Sequence, residues 1–286
     1  MAEATPTVNP RKLALGIVVY QAGASLLQRL QQVLDAGFPV FLFDNSPLDG
    51  TVRDFARGKV RCHYTTCGKN LGLGVGISAV CSQAFYDGFP ALIFFDQDTV
   101  FDTSTLGFVE QFFTRHQPKS REYSAVVFNA KDHAPAHSQS ADDWASTRDV
   151  TMAISSGTMF FLANLHKMNW HNTTYFVDCV DYEFCLNSER HGFRIAEFSK
   201  TPGFDHLSEQ PDKVYRFLGR DHAIRRYAAS RIRGTLWAST RLALTALRTG
   251  RFRFFATMLR SMCIYASFQI IARLIRRPTP AASVSR

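Results

Sequence analysis

The sequence predicts an α/β protein: a mostly parallel sheet flanked by helices, followed by a basic helical extension at the C-terminal end. Three observations carry that expectation. Apolar runs of strand length alternate with stretches at helical spacing up to His206, and such alternation implies parallel strands covered on both faces. Hydrophobic content of 46% with 20% charged residues over 286 positions allows a sizeable core and excludes a disordered chain. Finally, residues 213–286 hold 16 Lys and Arg against a single acid, Asp221, whereas the rest of the chain is net acidic. The expected boundary therefore falls between a unit at 1–210 and a basic unit at 211–286.

Leu13 to Tyr20 reads as the first buried strand, followed by a helix with Leu26, Leu27, Leu30, Val33 and Leu34 at helical spacing. Gly37 ends that helix, and Pro39 to Phe43 forms a second strand closing at Asp44-Asn45-Ser46. A short helix near Val52 to Phe55 leads to a third strand around Val60 to Tyr64, and a helix over Val75 to Tyr86 follows the turn at Gly68 to Gly72. Leu92 to Asp98 is then the fourth strand, Ser104 to His116 a helix and Tyr123 to Phe128 a fifth strand. Polar residues 129–150 read as a surface loop. Ser155-Ser156-Gly157 opens the apolar run Thr158 to Leu162, and Asp178 to Leu186 reads as a helix with Asp178, Asp181 and Cys185 near one face. Phe193 to Ala196 is the last short strand, with His206 in the loop beyond it. From about Asp221 onward the pattern is helical and basic.

Ligands of such sheets gather at the carboxyl ends of the strands, where Tyr20, Asp44 and Asp96 all fall. Asp96-Gln97-Asp98 sets two carboxylates one residue apart. That donor set suits Mg2+ or Mn2+, which take oxygen ligands and keep positions open for substrate phosphates; the plain alternative is a strand end and a helix cap. Asp44 fits a contact to a base or ribose, or an Asx-turn. Asp178, Asp181 and Glu183 fit either a general base that takes a hydroxyl proton or an acidic helix start. Gly72-Leu73-Gly74-Val75-Gly76 departs from both the dinucleotide and the Walker spacing, leaving at most a turn whose N–H groups brush a nucleotide. His206 suits Mn2+ or a phosphate. There is no H-E-x-x-H for zinc and no G-x-S-x-G elbow. None of the six cysteines forms a C-x-x-C pair, which fits reduced thiols, and Leu13 to Tyr20 is too short for a secretory signal.

Taken in order, Ile17-Val18-Val19-Tyr20, Asp44-Asn45-Ser46, Asn70-Leu71-Gly72, Phe95-Asp96-Gln97-Asp98, Ser156-Gly157, the run from Asp178 to Leu186, and His206 resemble the family 2 glycosyltransferases of GT-A fold, in particular rhamnosyltransferase-like members of surface-polysaccharide assembly. The resemblance spans about Leu15 to His206. It implies inverting sugar transfer from a nucleotide diphosphate sugar to a lipid-linked saccharide acceptor at the cytoplasmic face of the membrane. Tyr20, Asp44, Asn70 and Asp96 would then bind the nucleotide sugar, and Asp96, Asp98 and His206 would hold a divalent cation, Mg2+ or Mn2+. Asp181 or Asp178 would deprotonate the acceptor. Ser78, Val180 and Asn187 stand where relatives often carry Asn, an acid and Arg.

Two other classes compete. Asp96-Gln97-Asp98-Thr99-Val100 also resembles the nucleophile motif of haloacid dehalogenase-type phosphatases, with Asp96 as nucleophile; that motif usually closes the first strand of its domain, not the fourth. A non-catalytic polyanion-binding protein would use Phe252, Phe254 and Phe255 interleaved with Arg251 and Arg253. The apolar helical pattern favours lipid over nucleic acid. Ser261 to Ala272 is free of charge but only about twelve residues long against roughly 20 for a span, so it is expected to lie in the interface as a peripheral anchor.

Overall fold

The computed structural model describes residues 11–47, 50–128, 144–198, 201, 204–206, 213–217, 220–224 and 226–274. The chain forms two compact units, Met1–Leu207 and Ser208–Arg286. The first begins with β1 (Leu13–Val19), α1 (Ala24–Asp35), β2 (Val40–Asp44), α2 (Thr51–Ala56), β3 (Cys62–Thr66) and α3 (Leu73–Tyr86). β4 (Ala91–Asp96), β5 (Thr99–Phe101), α4 (Thr103–His116), β6 (Tyr123–Phe128) and β7 (Thr147–Val150) follow. It closes with β8 (Thr158–Phe161), α5 (Leu162–Lys167), α6 (Val180–Arg190), β9 (Arg194–Phe198) and β10 (Phe204–His206).

Eight strands form one sheet in the order β3-β2-β1-β4-β8-β6-β9-β7. β1 to β4 run parallel, β8 lies antiparallel between β4 and β6, and β7 is an antiparallel edge. The central strands β1, β2, β4, β6 and β8 are largely apolar and buried because both faces are covered, whereas β3 and the edge strand β7 are polar and only partly buried. Leu13, Leu15, Ile17 and Val19 join Leu26, Leu30 and Val33 of α1 and Leu106, Val109, Phe112 and Phe113 of α4 in one core layer. α3 covers the other face, with Ile77, Val80 and Ala84 buried.

Several expectations are corrected. β4 stops at Asp96; Gln97 and Asp98 form a turn, and Thr99 opens a separate short strand. The described end of the polar 129–150 segment is not all loop, since it supplies edge strand β7; residues 129–143, with His133 and His137, lie outside the described residues. His206 is not in a loop: its backbone ends β10, which pairs antiparallel with β5 so that His206 faces Thr99. α6 begins only at Val180, because Cys179 takes a left-handed φ of 66° as the residue ahead of the helix. Asp178 therefore lies outside α6, and only Asp181 and Cys185 share its face.

The second unit is not helical from Asp221. It contains a hairpin of β11 (Lys213–Phe217) and β12 (Arg220–Ile224) before helices α7 (Ala229–Arg248) and α8 (Phe252–Leu274). α8 is one continuous helix of 23 residues, of mean hydropathy 1.3 over its most apolar stretch, so by length and composition alone it could cross a membrane. The helix is longer than the charge-free run Ser261–Ala272 because Phe254, Phe255 and Met258 continue the apolar pattern on the N-terminal side of Arg260. All six cysteines are free, with Cys81 and Cys185 buried and Cys263 exposed.

Candidate active site

The register of the parallel strands assembles the site. Val19 of β1 pairs with Asp44 of β2, and Val18 of β1 pairs with Asp96 of β4. The two aspartates thus flank the exit of β1, about two strand spacings or ~10 Å apart at the backbone. Tyr20 leaves β1 between them and is 42% exposed, with its N–H donated to Gln97 Oε1 at 2.8 Å. Arg29 of α1 donates to the Gln97 carbonyl at 2.9 Å. Gln97, which sequence reasoning treated only as a spacer, therefore fastens the Asp96–Asp98 turn to β1 and α1. Asp96, Gln97 and Asp98 are each partly exposed at this rim.

Asp44 is buried. Its Oδ1 accepts the Ser46 N–H at 2.8 Å, the Asx-turn expected as the plain alternative, and its Oδ2 accepts from the Tyr64 hydroxyl at 3.2 Å. Burial and the Asp44 carboxylate together raise the Tyr64 pKa, so the phenol stays a donor. Asn45 is buried beside it and clasps the next motif: its Oδ1 accepts from Leu71 N and its Nδ2 donates to Gly72 O, at 3.0 and 3.1 Å. Asn70 is exposed and caps its own turn, accepting from Gly72 N at 2.9 Å.

The Gly72-x-Gly74-x-Gly76 spacing serves close packing. A Cβ on Gly72 (φ 89°) would overlap Phe176 O, one on Gly74 would lie 2.6 Å from Tyr175 O, and one on Gly76 2.5 Å from a Val18 methyl. The Leu73 N–H, first of α3, already donates to Phe176 O. The expectation of free N–H groups for a nucleotide is corrected at that position. The segment before α6 is clamped onto the start of α3.

The remaining carboxylates come from that segment and from α6. Asp181 Oδ1 accepts from both the Ser155 N–H (3.2 Å) and the Ser155 hydroxyl. Desolvation raises the Asp181 pKa above the ordinary carboxylate value, and the Ser155 bonds pull partly against it. Asp178 is half-buried ahead of the left-handed Cys179, and Glu183 is buried with Asn172 Nδ2 donating to it at 3.3 Å. Ser156 turns the other way from Ser155: its Oγ accepts the Asp96 N–H at 3.0 Å and bonds Thr99 Oγ1 at 2.8 Å. Among the described residues no three His, Cys, Asp or Glu cluster as a metal site. The His206 backbone lies opposite Thr99, one residue from Asp98.

The sequence profile of "Glycosyl transferase family 2" matches residues 15–157, half of the chain. The chain belongs to glycosyl transferase family 2. No curated protein matches it in sequence. Among solved structures, S. aureus TarS aligns with a TM-score of 0.57 at 14% identity, covering 87% of this chain and 43% of that one. TarS residues 1–349 in complex with UDP-GlcNAc align at 0.57 and 13%, covering 87% and 71%. GalNAc-T7 with UDP, GalNAc and Mn2+ aligns at 0.56 and 10%, covering 82% and 48%. The family 2 chain thus shares the GT-A fold of these structures while spanning less than half the length of full TarS.

Proposed function

We propose that the protein is an inverting glycosyltransferase that moves a sugar from a nucleotide diphosphate sugar to a saccharide acceptor. One observation carries the reading: the exits of β1, β2 and β4 bring Tyr20, Asp44 and the Asp96–Asp98 turn to one rim, and Ser155-Ser156 joins that rim to a desolvated carboxyl, Asp181. In this reading Asp44, Tyr20 and Asn70 bind the nucleotide. Asp181 takes the acceptor proton as the acceptor oxygen bonds to the anomeric carbon and the bond from that carbon to the diphosphate breaks. A base of raised pKa suits a proton abstracted near neutral pH. Asp181 is favoured over Asp178 because two Ser155 donors fix its orientation.

Asp96 and Asp98 are partly exposed oxygen donors on a turn that Gln97 holds in place, and they fit a hard divalent cation, with His206 on the neighbouring strand as a third candidate. When bound, Mg2+ or Mn2+ would act as a Lewis acid toward the departing diphosphate. GalNAc-T7 crystallised with Mn2+ and UDP, and TarS with UDP-GlcNAc or UDP, which supports this donor class. The rhamnosyltransferase-like motifs put dTDP-sugars beside UDP-sugars as donors. Membership in family 2 and three strand–helix units ahead of Asp96 favour transfer over an Asp96 phosphatase.

A lipid-linked acceptor in surface-polysaccharide synthesis accords with the second unit. Residues 226–274 contain nine Arg and no acid, and Trp237, Leu244, Phe252, Leu259, Ile270 and Leu274 are exposed. Arginine beside exposed Trp, Leu and Ile suits an anionic bilayer surface facing the cytoplasm, and no nucleic acid is needed to explain it. The test of the donor site is thermal stability with UDP or dTDP and Mn2+. Ligand at 100 times its Kd should stabilise the fold by about 2.7 kcal/mol; no shift with either nucleotide, together with no diphosphate release from UDP- or dTDP-sugars, overturns the proposal.

A further inference from the structure

We infer that the adjacent serines Ser155 and Ser156 are positioning residues that set the proposed base and the proposed metal-binding turn against each other. This rests on the transfer reaction proposed above. The two hydroxyls divide their work between opposite halves of the site. Ser155 turns both its donors, N–H and hydroxyl, toward α6, onto the same oxygen of Asp181, while its carbonyl accepts from Thr158 N at the start of β8. The Ser156 hydroxyl turns toward the end of β4 and the start of β5, accepting from Asp96 N and bonding Thr99, the residues that bracket Gln97 and Asp98. Both serines are 5% exposed, so neither bond is diluted by solvent.

The backbone explains why the pair sits there. β8 runs antiparallel to β4 with Phe94 opposite Thr158, and continuing that register places Ser156 opposite Asp96. The ladder stops short of this rung, and the Ser156 side chain takes the Asp96 N–H that a backbone carbonyl would otherwise accept. Gly157, at φ 76°, donates to Phe94 O and accepts from Phe128 N, fixing the strand entry on both sides. Two consecutive residues on so rigid an entry hold Asp181 and Asp96 at a set separation, and catalysis is sensitive to displacements of about 1 Å between such groups.

The test compares Ser155→Ala, Ser155→Thr and Ser156→Ala in the full chain. The probes are UDP and dTDP titrated with Mn2+ for binding, and diphosphate release from UDP- and dTDP-sugars for turnover. Ser155→Ala is expected to lower kcat tenfold or more while nucleotide affinity and donor KM stay within twofold, and Ser155→Thr, which keeps the hydroxyl, restores most of kcat. Ser156→Ala is expected to weaken Mn2+-dependent nucleotide binding at least fivefold and to raise donor KM in step. Equal losses of kcat and affinity in both alanine variants overturn the inference, as does kcat within twofold for Ser155→Ala or affinity within twofold for Ser156→Ala. The split between kcat and affinity decides the matter even where threonine packs poorly. If the unmodified protein binds neither nucleotide, or if Asp181→Asn turns over normally, it is the transfer reading that fails instead.

Discussion

The ligand end of the sheet and the arginine-rich helical pair handle polar groups in opposite ways. At the sheet end, Asp44, Asn45, Ser155, Ser156 and Glu183 are buried, and each is held by named hydrogen bonds to neighbouring elements. In the helical unit, one polar clasp joins the far ends: Arg273 donates to Tyr227 O at 2.7 Å and to Gln269 O at 2.8 Å, and Gln269 Oε1 accepts from Tyr227 N at 3.2 Å. Between those ends the helices show arginine and large apolar side chains to solvent. Buried polar groups must be satisfied and so become fixed, which suits chemistry that needs set distances. Exposed guanidinium groups beside apolar side chains remain adaptable, which suits a surface without fixed geometry.

The sharpest break in this contrast would come from Asp181→Asn. Turnover should fall by about 10²–10⁴-fold, the usual worth of a general base. Because burial raises the pKa of Asp181, the carboxylate costs stability once pH exceeds its unfolded pKa, and the neutral amide removes that cost. The melting temperature should therefore hold or rise, and a large drop would mean that Asp181 is structural.

Next in size, Gly72→Ala should destabilise the first unit by roughly 2–4 kcal/mol, because a side chain at φ 89° is strained and its Cβ would overlap the Phe176 carbonyl. Chemical denaturation measures this, and a cost below about 1 kcal/mol would show that the 172–176 segment yields easily.

His171 offers a pH probe of the same rigidity. It is buried, stacked on Phe184 at 4.9 Å and edge-on to Phe160, and neither ring nitrogen has a partner among the described residues. Burial lowers its pKa to about 3, from an ordinary 6.5. Between those values the unfolded chain holds the extra proton, so the stability tied to neutral His171 is complete above pH ~6.5 and is lost as pH falls. The loss at pH 5 should be about 2 kcal/mol, and His171→Phe should abolish that part of the acid sensitivity. An unchanged pH dependence in the variant would assign the effect elsewhere.

Smallest is the effect expected in the helical unit. Trp237→Ala should weaken binding to anionic vesicles by about tenfold, matching loss of ~1.5 kcal/mol of apolar burial. Raising salt from 0.1 to 1 M, where the screening length falls from about 10 to 3 Å, should weaken it further. Binding that ignores both changes would leave the helical pair without a membrane role.

The first unit was largely legible because fully buried strands announce themselves as apolar runs and their ends as aspartates. Asp44, Asp96 and the element order through Phe128, the short β5 apart, could be read that way. The Ser155 and Ser156 contacts could not: two serines before a glycine carry no periodic signal, and their meaning comes from the reversed β8, which no local pattern encodes. The glycine spacing invited a phosphate-loop reading because sequence shows the absence of a side chain but not what occupies the space. The β11–β12 hairpin was missed because Arg220 to Ile224 has strand alternation too short to stand out from the basic helical pattern after it. The start of α6 was misplaced because nothing but the backbone reveals that Cys179 adopts a left-handed turn.

The clamp of Phe176 on Gly72 and Leu73 joins segments roughly a hundred positions apart. Loop closure on that scale is entropically slow and comes after local helices have formed. The ligand end of the sheet should therefore be among the last parts of the first unit to consolidate during refolding, with recovery of nucleotide binding trailing recovery of helical signal.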